Sequence, residues 1–324
     1  WKFAISGRIR SSATIYEGYA YFGGQDFALH CLDIETGEEK WNFTTDSQIV
    51  STPAVASGKV VFGSNDGHIY ALNANDGKTA WKYLTGNPVN SSPAIVDGVI
   101  YIGSHDTKAY AMDLESGNVI WQFNTEGRIE SSPAVGGGTV FFGSDDGNFF
   151  AVDAKTGIEK WRYDTGVGFA SSPALAEGNV YVGSGDMSLY AFKQDTGEIA
   201  WKFQTNNRID ASPAIHEGVI YIGSRDAHMY AVDLATGTEI WKFKADKGVA
   251  EDAFITKSSI KSSASISEGI LYFGAIDKVI YALDATTGTE LWTYTTLGGV
   301  ETSPTIHGNT VYVGSNDGHM YLLE

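Results

Sequence analysis

Residues 151–161 read AVDAKTGIEKW: a strand-like start, a Thr-Gly turn at 156–157, and a tryptophan ten positions after the alanine. The same order recurs as AMDLESGNVIW at 111–121, AVDLATGTEIW at 231–241 and ALDATTGTELW at 282–292. All eight tryptophans (Trp1, Trp41, Trp81, Trp121, Trp161, Trp201, Trp241 and Trp292) fall in the series, with six intervals of 40 residues and one of 51. A repeat of this length without helical spacing predicts propeller blades, each made of four short antiparallel strands.

Residues 128–163 contain four apolar stretches separated by Gly and Asp turn signals, which predicts strands A (128–135), B (139–143), C (148–153) and D (159–163). No stretch between glycines carries apolar residues at i, i+3, i+4 and i+7 long enough to make a helix. Side-chain volume grows outward, from Ser131, Ser132 and Ala134 on A to Phe141, Phe142, Phe149 and Phe150 on B and C. That taper suits wedges arranged around an axis. The chain opens with WKF, a D strand lacking its own A to C, and ends with GHMYLLE, a C strand lacking its D. The expected fold is therefore all-β: an eight-bladed β-propeller of four-stranded antiparallel blades, one domain over 1–324, closed by the N-terminal strand completing the last blade. Such pairing removes an open sheet edge.

Composition supports a packed chain: 43% of the 324 residues are hydrophobic and 19% charged. The formal charge of −17 repels phosphate, so no nucleic-acid partner is expected. No apolar run is long enough for a membrane span, and no basic-then-apolar leader is visible. Because the chain opens at Trp1, it reads as a mature form or an excised segment, and a monomer or one part of a longer chain is expected. Cys31, the single cysteine, stands where other repeats have alanine and reads as a small packing residue.

The phrase Ala-x-Asp-x-x-Thr-Gly-x-x-x-Trp resembles the tryptophan-docking motif of PQQ-type (pyrroloquinoline-quinone) propeller repeats, with Cys31, Asn73 and Lys193 as departures. The resemblance covers essentially the whole chain. It implies eight blades with the tryptophans stacked between neighbours, and an extracytoplasmic location in the periplasm or at the cell surface. The family contains BamB-like scaffold proteins, propeller sensor domains of membrane kinases, and quinoprotein dehydrogenases, so it does not fix an activity.

Residues common to every blade are explained by what every blade shares; function is sought where the copies differ. The aspartates of the B to C turns and the serines of strand A read as turn chemistry. The position before each Ser-Ser pair varies instead: Arg10, Val50, Asn90, Glu130, Ala170, Asp210, Lys261 and Glu301. Two residues earlier stand Arg8, Gln48, Pro88, Arg128, Gly168, Arg208, Ser259 and Gly299, with apolar residues between the two sets. These alternate positions should reach the top mouth of the central channel, joined by Gln25, Asn65, His105, Asp145, Arg225 and Asn316 from the B to C turns. The candidate binding residues are Arg8, Arg10, Asn90, His105, Arg128, Glu130, Arg208, Asp210, Arg225, Lys261 and Glu301. The break in period adds an insertion at 247–257, KGVAEDAFITK, expected on the same face.

The histidines lack metal-ligand spacing, so no metal site is expected. The expected function is a non-catalytic scaffold or ligand-sensing propeller, with a protein partner or small ligand at the top face. The alternative is a PQQ-dependent quinoprotein oxidoreductase acting on alcohols or sugars, with PQQ and calcium as cofactors. It is disfavoured because the resemblance implies adjacent cysteines and a free tryptophan platform that this sequence lacks; no cofactor is expected.

Overall fold

Glycine-bearing two-residue turns close the A–B hairpin of most repeats. In the computed structural model, which describes residues 1–247 and 259–324, Glu17 and Gly18 take φ values of 47° and 81°. Paired left-handed residues match the twist of the strands they join. The first blade runs Thr14–Tyr16, Tyr19–Gly23, Ala28–Asp33 and Glu39–Thr44, hydrogen-bonded in that order, and seven further four-stranded antiparallel sheets repeat it. The A strands of neighbouring blades lie side by side, and the ring closes where Thr305–His307 meets Thr14–Tyr16. The N-terminal strand Lys2–Ala4 completes the eighth sheet, pairing Lys2 with Tyr321, Phe3 with Met320 and Ala4 with His319. Among the described residues there is no helix, hence none long and apolar enough to cross a membrane.

The A strands are shorter than expected. In blade 4 strand A is Ala134–Gly136, whereas the sequence predicts it from 128. The residues ahead of it do not join the sheet because their amides bond sideways. Ser132 N donates to Ser172 Oγ at 2.9 Å, Ser172 N to Ser212 Oγ at 3.1 Å and Ser212 N to Ser263 Oγ at 2.9 Å. The series continues through Ser303, Ser12, Thr52 and Ser92 back to Ser132, so eight amide-to-hydroxyl bonds encircle the axis. Expected to act in turns, these serines instead tie blade to blade.

Most of the core lies between blades. Ile129, Phe142 and Phe150 of blade 4 pack with Tyr101, Ala111 and Trp121 of blade 3. Strand D carries a bulge: Ala151 pairs with Trp161, but Val152 pairs with Glu159, leaving Lys160 as the extra residue. An extra residue re-aims its neighbours. Each indole is thereby turned onto the next blade, where Trp121 Nε1 donates to Ala154 O at 2.9 Å and Trp161 Nε1 to Gln194 O at 2.8 Å. The indole of Trp121 lies so close to Gly157, at φ 70°, that a Cβ there would sit 2.7 Å from the ring. Asp153 holds the same turn, its Oδ1 accepting from Thr156 N at 3.0 Å and Thr156 Oγ1 at 2.9 Å.

Candidate functional site

The variable positions are placed by the apolar residue between them. Ile9, Ile49, Val89, Ile129, Phe169, Ile209, Ile260 and Val300 are fully buried. Each presses against the glycine ending a neighbouring B strand; a Cβ on Gly23 would lie 2.2 Å from Ile49, and one on Gly183 2.2 Å from Ile209. Extended backbone alternates its side chains, so the flanking residues point away from that anchor. Gln25 N, His105 N, Arg225 N and Asn316 N bond the carbonyls of Arg8, Pro88, Arg208 and Gly299, which brings the B to C turns alongside.

Three charge clusters result. Glu301 Oε2 meets Arg10 at 2.7 Å and Lys261 at 3.1 Å, and its Oε1 accepts from Asn316 Nδ2 at 2.8 Å. One carboxylate thus joins blades 7, 8 and 1. Burial alone raises its pKa, but the Asn316 bond and the Arg10 and Lys261 charges outweigh this and hold it below the usual glutamate value. In the second cluster Asp210 takes two arginines, Arg208 Nε at 3.2 Å and Arg225 Nε at 2.5 Å. The third holds Glu130, 3.4 Å from His105 Nε2; the His105 contact first, with the Arg128 and Arg208 charges, keeps its carboxyl low against the effect of burial. Arg128 itself pairs with Asp145 at 3.0 Å, where burial and the neighbouring Glu130 push the Asp145 pKa up.

Of the sequence-predicted residues, Arg10, Lys261 and Glu301 come together, as do Arg208, Asp210 and Arg225, and His105 with Glu130. Arg8 is exposed and makes no ion pair among the described residues. Asn90 Oδ1 is buried without a hydrogen-bond partner among the described residues, as are Asn65 Oδ1, Asn316 Oδ1, His105 Nε2 and Ser259 Oγ around the same mouth. At 3.4 Å the His105 contact is a poorly aligned charge contact and not a hydrogen bond. Of the predicted insertion only Lys247 is described, paired with Glu290; 248–257 lie outside the described residues. Among the described residues no three His, Cys, Asp or Glu side chains converge as metal ligands.

The aspartates of the B to C turns bond backbone amides, as their sequence predicts. Asp66 Oδ1 accepts from His68 N at 2.9 Å, and its Oδ2 accepts from Tyr70 Oη at 2.8 Å. Sequence reasoning missed this tyrosine partner three residues into strand C, although its recurrence at 70, 110, 190, 230, 281 and 321 was the available signal.

The family model described as outer membrane protein assembly factor BamB matches residues 1–128, 110–244 and 225–324. The chain belongs to the BamB family. The BamB crystal structure from Moraxella catarrhalis superposes with a TM-score of 0.83 at 17% identity, covering 99% of this chain and 98% of that one. The computationally designed Ika8 protein gives 0.83 at 17% identity over 98% of this chain and 96% of that one. Quinohemoprotein alcohol dehydrogenase from Comamonas testosteroni gives 0.83 at 14% identity, over 99% of this chain and 75% of that one. At these identities the likeness to BamB and to the dehydrogenase is one of fold. No curated protein sequence matches the chain.

Proposed function

We propose that this propeller is a non-catalytic interaction scaffold, acting outside the cytoplasm, that receives a protein partner on its top face around the channel mouth. The observation carrying this reading is the division of labour among the repeats. Positions shared by all blades are spent on building and joining the blades, as in the hydroxyl belt, the indole contacts and the turn aspartates. Positions that differ gather at one mouth, in asymmetric clusters around Glu301, Asp210 and Glu130. Buried polar atoms left without partners at that mouth favour an incoming group that can bond them. Membership of the BamB family supports a scaffold role.

The mouth residues do not fit the quinone cofactor of the dehydrogenase relatives. Seven of the eight indoles, those of Trp1, Trp41, Trp81, Trp121, Trp161, Trp201 and Trp241, donate to a neighbouring blade, so none of these is free to face a flat ring. Cys31 is buried, and burial pushes its thiol up to about 11. Of the arginines that would take the cofactor's carboxylates, Arg10, Arg208 and Arg128 already hold Glu301, Asp210 and Asp145, which leaves Arg8 alone without an ion pair among the described residues.

A photo-crosslinking residue placed at Arg8 on the mouth, with Asp97 on the opposite rim as control, tests the scaffold in its native host. One discrete protein adduct from position 8, absent from position 97 and lost on R128E/R208E substitution, is expected. Equal labelling from both rims, or stoichiometric PQQ and calcium binding with alcohol-dependent dye reduction, would overturn it.

A further inference from the structure

At the outer top corner of blade 4 a cavity of about 450 Å³ is lined by Asn124, Glu126, Asp146, Phe150, Arg162 and Asp164, among others. It exists beside the one break in an otherwise regular contact. In six blades the turn aspartate receives a tyrosine hydroxyl from strand C, as in Tyr110 to Asp106 at 2.5 Å, Tyr230 to Asp226 at 2.7 Å and Tyr321 to Asp317 at 2.8 Å. In blade 1 the imidazole of His30 takes that place, with Nε2 3.0 Å from Asp26 Oδ2. In blade 4 the position holds Phe150, which has no donor. Among the described residues Asp146 Oδ2 accepts from the backbone N–H of Glu126, at 2.9 Å, and from no side chain.

Blade 5 shows what such a corner accepts. There Lys202, from strand D, places its ammonium 3.1 Å from Asp186 Oδ2, 2.9 Å from Tyr190 Oη and 4.7 Å from the centre of the Tyr190 ring. The corresponding strand D residue of blade 4, Arg162, turns instead to Glu159 at 3.4 Å. The blade 4 corner therefore offers the carboxylate and the aromatic ring, while Arg162, the one cation among its lining residues, is directed to Glu159. Glu126 and Asp164 add negative charge. The cavity is larger than an ammonium head needs and leaves room for an alkyl stem, with Phe150 as its apolar wall.

We infer that the blade 4 corner binds an alkylammonium group from outside the chain, with Asp146 as the anion and the Phe150 ring as the cation–π face that Asp186 and Tyr190 provide to Lys202. The shared chemistry is a primary ammonium on an alkyl stem, carried by a lysine side chain or by a free amine. This site stands apart from the channel mouth, and its test does not depend on the scaffold reading.

The test follows the backbone amides of Glu126 and Asn148, both bonded to Asp146, by NMR of the full chain. Butylammonium chloride and an acetylated, amidated lysine are titrated in parallel with sodium, calcium and tetramethylammonium chlorides. Saturable shifts of both amides with the two primary amines, and none with tetramethylammonium or sodium, are expected. Tighter binding of the lysine derivative marks a protein side chain as the source; tighter binding of butylammonium marks a free amine. F150Y adds the hydroxyl that in blade 5 contacts both the carboxylate and the ammonium, and should tighten the binding. D146N removes the anion and should abolish the shifts. The double variant Y190F/K202A should open a second site, read as new ammonium-dependent shifts at Ser188, whose amide bonds Asp186. Unchanged binding in D146N, loss of binding in F150Y, a response to calcium alone, or no saturable shift in the unsubstituted protein would overturn the inference.

Discussion

Ser303 donates its backbone N–H to Ser12 Oγ at 2.9 Å, joining residues 291 apart in sequence. This bond closes the hydroxyl belt between the first blade and the eighth, whose outer strand Lys2–Ala4 comes from the opposite end of the chain. S12A leaves the Ser303 amide unpartnered and should cost about 1 to 2 kcal/mol, read as a lowered denaturation midpoint. S12T should be nearly neutral, because Thr52 serves the same role in blade 2 at 3.2 Å.

Gly138 and Gly157 share a φ of 70°, but only Gly157 faces an indole, that of Trp121; nothing lies within 4 Å of a Cβ on Gly138. G138A should cost about 1 kcal/mol from backbone strain alone. G157A adds displacement of Trp121, for which W121A sets the ceiling at about 3 to 5 kcal/mol. The two midpoints measured by chemical denaturation should differ by at least ~1 kcal/mol; equal values would mean that the indole contact adds nothing.

His30 makes the seam sensitive to pH. Its ring, nearly buried, lies between Asp26 and Glu39, with Nδ1 2.6 Å from Glu39 Oε1, and packs on Phe22 and on Phe3 of the closing strand. Asn42 bonds the other oxygen of Glu39. Burial opposes the charged ring, but hydrogen bonds to the two carboxylates prevail and raise its pKa above 6.5. A raised folded-state pKa gives stability that is complete below 6.5 and is lost as pH rises through the folded value. Wild-type stability should fall over that rise. H30Y, which installs the tyrosine of six other blades, should flatten the profile.

Glu301 predicts the opposite sign. Its depressed pKa contributes stability above the ordinary value of 4.5 that is lost as pH falls through the folded value. E301Q leaves Arg10 and Lys261 facing each other, both partly exposed, and should cost about 1 kcal/mol at neutral pH. The deficit should shrink in acid, where wild-type Glu301 is itself protonated, and with added salt. A deficit independent of both would assign the effect to packing.

Periodic features were the most legible in sequence. The interval of 40 gave the blades, Trp1 to Phe3 and the truncated last copy gave the closure, and the apolar residue between two variable ones placed the mouth. What escaped was contact between remote copies. Ser132 and Ser172 look like turn residues in a linear reading, because nothing local reveals that one's amide meets the other's hydroxyl. Arg10, Lys261 and Glu301 were placed on one rim, but sequence gives no distance between them. Phe150 was visible as an aromatic, while its missing hydroxyl acquires meaning only beside the carboxylate of Asp146 and the cavity it borders.

The belt of Ser and Thr hydroxyls is indifferent to number. Every blade is at once donor and acceptor in the same rotational sense, so seven or nine units would satisfy the same local rule. Counting is therefore left to shape: slim Ser and Ala residues at the hub against indoles at the girdle fix the angle each unit subtends. A copy of the repeat spliced in or removed would keep nearly all of its polar bonds and still be strained, because the taper of these side chains is cut for eight.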